Sequence, residues 1–331
     1  MQKRKFGKTV LEVSEIGFGA WAIGGPAMAG KIPLGWGATD DKVSKKALCK
    51  AVQQGINFID TADFYGLGHS EELIGMVIGN NPKIVIATKV GHRLVNDQNI
   101  FFDYSRKHIL NACEHSLQRL KRDCIDYYQL HSAKVVHLQS GECLEAMEIL
   151  QQQGKIRYWG ISLNTYNPFP EAEFILQKNL GHGLQLVFNI LNQRAMKIIT
   201  EAGRKEMGVI ARMPLQFGLL TGKFTAQTTF SDDDHRRFRL KPLVLENALQ
   251  ALEPIWIMAE KYQITPAQLS LNFIRSFPQV STIIPGIKTP QQAMENSSGL
   301  IQLTEENVQI ILELYESRYH QLVDLMEKQE G

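Results

Sequence analysis

Four residues of this 331-residue chain have the types and spacing to move a proton: Asp60, Tyr65, Lys89 and His131. Asp60 closes the apolar run Gly55-Ile56-Asn57-Phe58-Ile59, and Tyr65 follows it by five residues. Lys89 comes after Lys83-Ile84-Val85-Ile86-Ala87-Thr88, and His131 after Ile125-Asp126-Tyr127-Tyr128-Gln129-Leu130. A phenol ordinarily ionises near pH ~10, so it delivers protons at neutrality only beside a charge or a relay. An ammonium about 4 Å away favours the ionised phenol by about 4 kcal/mol at an effective dielectric near 20, and about 1.4 kcal/mol equals one pKa unit. Lys89 paired with Asp60 would supply that charge, while an imidazole next to the phenol can orient a carbonyl or hand it a proton. Taken singly, a strand-end lysine points to solvent and a lone histidine is a satisfied core residue. The chemistry depends on the four converging.

Convergence needs strands that end side by side. Short β-branched or aromatic runs alternate with longer amphipathic stretches along the chain, which is the pattern of parallel strands joined by crossover helices. Eight such strands are expected, ending near Ala20, Thr61, Thr88, His131, Ser162, Phe188, Met213 and Pro285. Asp40 should open a helix running to Gly55, whose glycine suits a left-handed cap, and Ser70 and Ser105 should cap the helices after them. With no Pro/Gly/Ser linker or break in composition, residues 1–331 read as one (β/α)8 TIM barrel rather than two doubly wound domains. Lys5 to Val13 looks like a β-hairpin that could plug the barrel floor, and Glu305 to Lys328 like a long C-terminal helix. A barrel carries its chemistry where its strands end, and neighbouring strands lie only about 5 Å apart. The polar residues there are Asp60, Lys89, His131, Ser162, Asn164 and Gln185, with Tyr65 on the loop after the second strand.

Composition narrows the partners. A net charge of +2, with 44% hydrophobic and 21% charged residues, lacks the basic excess needed to grip nucleic acid. No window approaches the roughly 18 apolar residues of a membrane span, and the charged N-terminus has no apolar core behind it, so cytoplasmic residence is expected. Cys49, Cys113, Cys124 and Cys143 show no Cys-x-x-Cys spacing and read as reduced structural thiols. Gly17-Phe18-Gly19-Ala20-Trp21-Ala22 imitates a dinucleotide fingerprint, but the Gly24-Gly25-Pro26 that follows cannot open a helix. Gly218 to Phe224 has a Gly-Lys pair, yet Phe224 stands where a P-loop needs Ser or Thr; its glycines and Lys223 could still face a diphosphate. A metal-dependent hydrolase built on His69, His92 and His131 would want clustered ligands, and no His-x-His occurs. No metal is expected.

Five stretches together resemble the aldo-keto reductases, in order and over nearly the whole chain: Gly55 to Gly66, Ile86-Ala87-Thr88-Lys89, Asp126 to His131, Gly154 to Ser162, and Ile284-Pro285-Gly286. The resemblance implies a (β/α)8 barrel and transfer of a hydride from a reduced nicotinamide to an aldehyde or ketone. It assigns Tyr65 as general acid, Asp60 and Lys89 as the pair that tunes it, and His131 as the residue that orients the carbonyl. A family member can also act as a regulatory or redox-sensing barrel with slow turnover, or run mainly as an alcohol dehydrogenase.

For the cofactor, the resemblance implies NADPH, with NADH as the alternative. It places Ser162, Asn164 and Gln185 at the carboxamide, Asp60 near the nicotinamide ribose, and Arg212 where many members stack an aromatic ring. The Ser and Asn that the family usually joins are separated here by Leu163. Pro214 and Leu215 are further cofactor contacts, Lys223 could face the diphosphate, and Gly286, Lys288, Gln292, Glu295 and Asn296 hold the adenosine end. Lys288 is the expected contact to a 2′-phosphate, and Gln292 stands where many NADP-preferring members have Arg, the bidentate phosphate binder. Trp21 and Phe64, with Trp36, would wall a small-molecule carbonyl pocket with Tyr65 and His131. The segment from Met213 to Lys241 is either a solvated excursion or a lid in which Lys223 and an Arg close on the cofactor. Oligomeric state is not legible.

Overall fold

The computed structural model describes residues 1–35 and 37–330; Trp36, and with it the expected pocket wall at that position, lies outside the described residues. Eight parallel strands, β1 Phe18–Gly19, β2 Phe58–Asp60, β3 Val85–Val90, β4 Ile125–His131, β5 Ile156–Ser162, β6 Gly183–Val187, β7 Gly208–Arg212 and β8 Thr282–Ile284, form one sheet in sequence order. Bridges from Ile16 to Ile283 and from Gly19 to Gly286 join the outer strands, so the sheet closes on itself. Each strand ends within about two residues of its expected position, because a run of branched residues buried on both faces leaves little room for another assignment.

Helices cover the outside for local reasons. Asp40 Oδ1 accepts from the backbone N–H groups of Lys42 (2.7 Å) and Val43 (3.3 Å), which starts the helix Asp41–Gln53, and Gly55 leaves it at φ 90°. Ser44, Ala47, Leu48 and Ala51 are its buried face, one stripe at helical spacing. Ser105 caps Arg106–Leu120 as expected. Ser70 does not cap its helix. Gly68, at φ 102°, precedes the helix His69–Ile78, and the Ser70 hydroxyl is buried against Thr61 Oγ1 (2.8 Å) and the Ala20 carbonyl (3.1 Å). A side chain turned inward to join two strand ends cannot also reach the first turn.

The N-terminal hairpin, Lys3–Lys5 paired with Glu12–Ser14, closes the barrel floor. Phe6, Leu11 and Val13 pack with Phe58, Val85, Ala87, Tyr127, Ile210 and Ile284 in an apolar layer inside the barrel. A Cβ on Gly208 would stand 2.5 Å from the Phe6 ring and one on Gly183 2.9 Å, so the plug fits because these strands start with glycine. The same parity continues upward: Asp60, Lys89, Gln129, Ser162, Gln185 and Arg212 lie an even number of residues beyond interior-facing positions. The C-terminal segment is nearly the expected single helix: Glu305–Leu314 and His320–Glu330 are joined through a wider π turn at Tyr315–Tyr319. No helix among the described residues is long and apolar enough to cross a membrane.

Candidate active site

The polar layer above the plug is organised by Asp60, 2% exposed at the end of β2. Its Oδ2 receives Lys89 Nζ at 2.6 Å, and its Oδ1 receives the amides of Gln185 (2.6 Å) and Gln129 (3.1 Å). Lys89, fully buried on β3, also donates to the Thr61 carbonyl (2.8 Å) and lies 3.0 Å from the Tyr65 hydroxyl. Burial alone would lower the pKa of this ammonium; the charges and hydrogen bonds of Asp60 and Tyr65 outweigh it and hold the pKa above the ordinary lysine value. Lys89 is therefore a fixed cation beneath the phenol.

Tyr65 reaches the layer from the turn after β2, its ring stacked with Trp21 (centroids 6.1 Å) and edge-on to His131 (6.0 Å, 81°). Register pairs His131 with Ser162 and Ser162 with Gln185, which brings three strand ends to one level. Burial, aided by His92, Lys89 and Arg212, holds the His131 pKa well below the usual histidine value, so its imidazole is neutral at pH ~7. The four residues expected to converge do so.

Asp60, Tyr65, His131, Ser162 and Gln185 line a cavity of about 320 Å³ at the strand ends, whose walls include Trp21, Phe64, His92, Ile100 and His235. Ser162 Oγ donates to Gln185 Oε1 (3.2 Å), which links both to Asp60. Arg212 donates to the Leu163 carbonyl and Thr165 Oγ1, both at 3.1 Å, and its Nε is buried without a partner. Asn164 turns away: its Oδ1 accepts from the backbone N–H groups of Tyr166 and Asn167 (3.0 Å each), and Thr165 takes its place on the cavity wall. Beyond Pro214 and Leu215 the chain makes a tight 3-10 turn, Gln216–Thr221, with Met213, Gln216 and Phe217 all at positive φ. Asn189 secures it by donating to the Met213 carbonyl (2.9 Å) and Gln216 Oε1 (2.8 Å).

Gly286 sits on the cavity rim. Farther out, Thr289 caps the helix Pro290–Ser297, and Gln292 Oε1 completes the cap by accepting from the backbone N–H groups of Lys288 (2.7 Å) and Thr289 (3.3 Å). Lys288 Nζ donates to the Ala38 carbonyl (2.6 Å), Asn296 is buried, and Lys223 meets Glu295 at 3.6 Å across an exposed gap. The segment after Met213 is folded over the mouth: His235 Nδ1 lies 2.9 Å from the Pro33 carbonyl, its backbone N–H donates to the Gly35 carbonyl (3.1 Å), and its ring meets Trp21. Arg239 Nε donates to His235 Nε2 (2.9 Å).

Two groups have parts here that the sequence does not give them. Gln129, the second amide on Asp60, has the parity of Tyr127 and His131 on β4, and that alternation could have found it. His92 stacks on His131 with centroids 4.0 Å apart; it begins a hairpin, and nothing in its spacing marks it. Asp63, two residues before Tyr65, lines a neighbouring hollow of about 750 Å³ with Phe64 and His92. No cluster of three or more His, Cys, Asp or Glu suited to a metal occurs among the described residues.

A family model described as "Aldo/keto reductase family" matches residues 15–316. The chain is 31% identical over 315 residues to the "Uncharacterized oxidoreductase YqkF" of Bacillus subtilis (strain 168), covering 94% of this chain and 95% of that one. Its fold is similar to that of the glycerol dehydrogenase AKR11B4 from Gluconobacter oxydans (TM-score 0.78, 29% identity, 94% of each chain). It is likewise similar to an aldo-keto reductase from Klebsiella pneumoniae in complex with NADPH (TM-score 0.69, 25% identity, 95% of this chain and 96% of that chain).

Proposed function

The chain belongs to the aldo/keto reductase family, and from that membership we propose that it reduces a small aldehyde or ketone to the alcohol with NADPH, Tyr65 supplying the proton. Family members are NAD(P)H-dependent oxidoreductases acting on carbonyl and alcohol groups. The observation that carries the finer reading is Lys89 Nζ, held by Asp60 at 2.6 Å and placed 3.0 Å from the Tyr65 hydroxyl. A reduced nicotinamide would supply the hydride. Arg212, half-buried on the cavity wall with its Nε unpartnered and no carboxylate among the groups it bonds, suits a polyanionic dinucleotide, and so does a cavity lined at its edge by Gly286, two residues before Lys288.

Each residue then has one task. Tyr65 hydrogen-bonds the carbonyl oxygen and gives it a proton as negative charge builds there; Lys89 stabilises the phenolate left behind. His131, neutral, donates a second hydrogen bond that fixes the carbonyl. Asp60 keeps Lys89 in place, and its two amide donors keep Asp60 in place. Trp21, Phe64 and the folded-over segment around His235 exclude water. Ser162 and Gln185 would meet the carboxamide, with Thr165 nearer to the cavity than Asn164. At the adenosine end Lys288, Asn296, Glu295 and Lys223 flank the cofactor. Gln292 is occupied by the helix cap, which supports NADH as a second donor. We read residues 1–331 as one catalytic domain working in the cytoplasm.

The likeness to a glycerol dehydrogenase favours a second reading, alcohol oxidation by the same residues in reverse. Following NADPH consumption with a panel of aldehydes and ketones, and NADP+ reduction with the matching alcohols, tests both. A protein that binds NADPH yet turns over neither panel contradicts them.

A further inference from the structure

His92 is a half-buried titratable group on the cavity wall that proton delivery leaves unused. It opens the hairpin His92–Val95, Asn99–Phe102, directly beyond β3, and its ring lies parallel to that of His131, centroids 4.0 Å apart and planes within 9°. Phe102 from the returning strand (4.9 Å, 75°) and Phe64 from the turn before Tyr65 (5.5 Å, 84°) hold the His92 ring edge-on. His92 is thus clamped from two elements and presents its face to a third.

That face meets the residue whose orientation matters most. The outer torsion of a histidine side chain is soft and nearly two-fold, so a strand fixes where the imidazole sits but not which nitrogen faces the cavity. On His131, Nδ1 is buried without a partner. A neutral imidazole carries one N–H and one bare lone pair, and an N–H sealed from any acceptor is the costlier of the two to bury. The proton therefore belongs on Nε2, leaving that nitrogen to serve the cavity that His131 lines. Burial, with His92, Lys89 and Arg212 around it, keeps the ring uncharged, and Tyr104 anchors the backbone by donating to the His131 carbonyl.

We infer that His92 is a positioning residue for His131: the parallel stack holds the His131 imidazole in the plane that keeps Nδ1 buried in protein, and that burial leaves the N–H at Nε2 for the substrate carbonyl. The geometry stands by itself; its consequence for turnover rests on the reductase reading above. A His92 nitrogen also hydrogen-bonds the His131 backbone; the positioning is assigned to the flat ring and not to that nitrogen.

The test uses the full chain carrying nitrogen-15 histidine, with His92→Ala and His92→Phe, and His131→Gln to assign the signal. Two-bond nitrogen–proton correlations read the tautomer of His131 directly, and steady-state assays with NADPH and a carbonyl substrate read kcat. The wild type should show His131 neutral with its proton on Nε2. His92→Ala should show mixed tautomers and lose about tenfold in kcat, a part of the roughly 100- to 10,000-fold that a positioned acid–base group contributes, with NADPH affinity unchanged. His92→Phe should restore the single tautomer and most of kcat. An unaltered His131 tautomer and kcat in His92→Ala would overturn the proposal. So would His92→Phe as impaired as His92→Ala, since that assigns the work to a His92 nitrogen. If the wild type turns over no carbonyl, the reductase reading fails while the tautomer measurement still decides this one.

Discussion

Separating the buried Asp60–Lys89 pair should be far more damaging than removing it. Asp60→Asn keeps an oxygen for the Gln129 and Gln185 amides but leaves a fully buried ammonium with only the Thr61 carbonyl and the Tyr65 hydroxyl. Breaking a buried pair from one side costs about 3–5 kcal/mol. Lys89→Met leaves a carboxylate that still holds two amide donors, so its cost should fall at the lower end, about 3 kcal/mol. In the double variant no charge remains buried, and the loss should shrink to about 1–3 kcal/mol, well below the roughly 6–8 kcal/mol sum of the singles. Urea unfolding of the four proteins at neutral pH measures this cycle. A second signature accompanies it. Without Asp60, burial is left to depress the Lys89 pKa, and a group depressed on folding stabilises above its unfolded pKa and loses that contribution as pH falls. The Asp60→Asn deficit should therefore narrow as pH rises from about 7 toward 10, where the unfolded lysine also begins to lose its proton. A double variant whose loss equals the sum of the singles within about 0.5 kcal/mol would refute the reasoning, because the two charges would then not be compensating each other.

Phe6→Ala should remove the barrel plug, whose ring lies 4.9 Å from Tyr127 and 6.3 Å from Phe58, and cost about 3–5 kcal/mol in urea unfolding, with NADPH affinity unchanged because the plug does not line the strand-end cavity. The His92 pKa is lowered by burial from 6.5 to about 4. The unfolded chain therefore takes up this proton first, and stability should fall as pH drops below about 6.5 toward 4. Those two values correspond to about 2 kcal/mol lost at pH ~5, so wild type should lose that much more than His92→Phe between pH ~7.5 and ~5 in urea titrations; equal losses would contradict it.

Much of this architecture was legible because interior strands have few alternatives. A run such as Ile84-Val85-Ile86-Ala87 is buried on both faces, so hydropathy fixes its place, and the polar residue that interrupts it marks the strand end. That is why Asp60, Lys89 and His131 could be read directly, and why Gln129, inside its strand rather than at the end, was passed over despite its parity. Ser70 misled because a serine before an apolar stripe signals a cap only while it faces the helix; the left-handed Gly68 starts the turn sooner and sends the hydroxyl inward. Asn164 and Gln292 have the expected chain positions, but their side chains are spent on a turn and a helix cap, choices made by local backbone geometry that a spacing motif does not encode. His92 enters the sequence only as a rejected metal ligand, for a different reason: it opens a hairpin just beyond β3, and nothing in its spacing says that its ring will stack on His131 at the end of the neighbouring strand.

The most direct test of the account is the rate of NADPH oxidation by wild type and Tyr65→Phe on the same aldehydes and ketones, with NADPH affinity measured for both. Tyr65 is expected to be needed for proton delivery and not for holding the cofactor, so the variant should bind NADPH as wild type does while kcat falls by at least about 100-fold, the scale of a lost general acid. A wild type that binds NADPH but oxidises it no faster than Tyr65→Phe with every carbonyl would contradict the central claim.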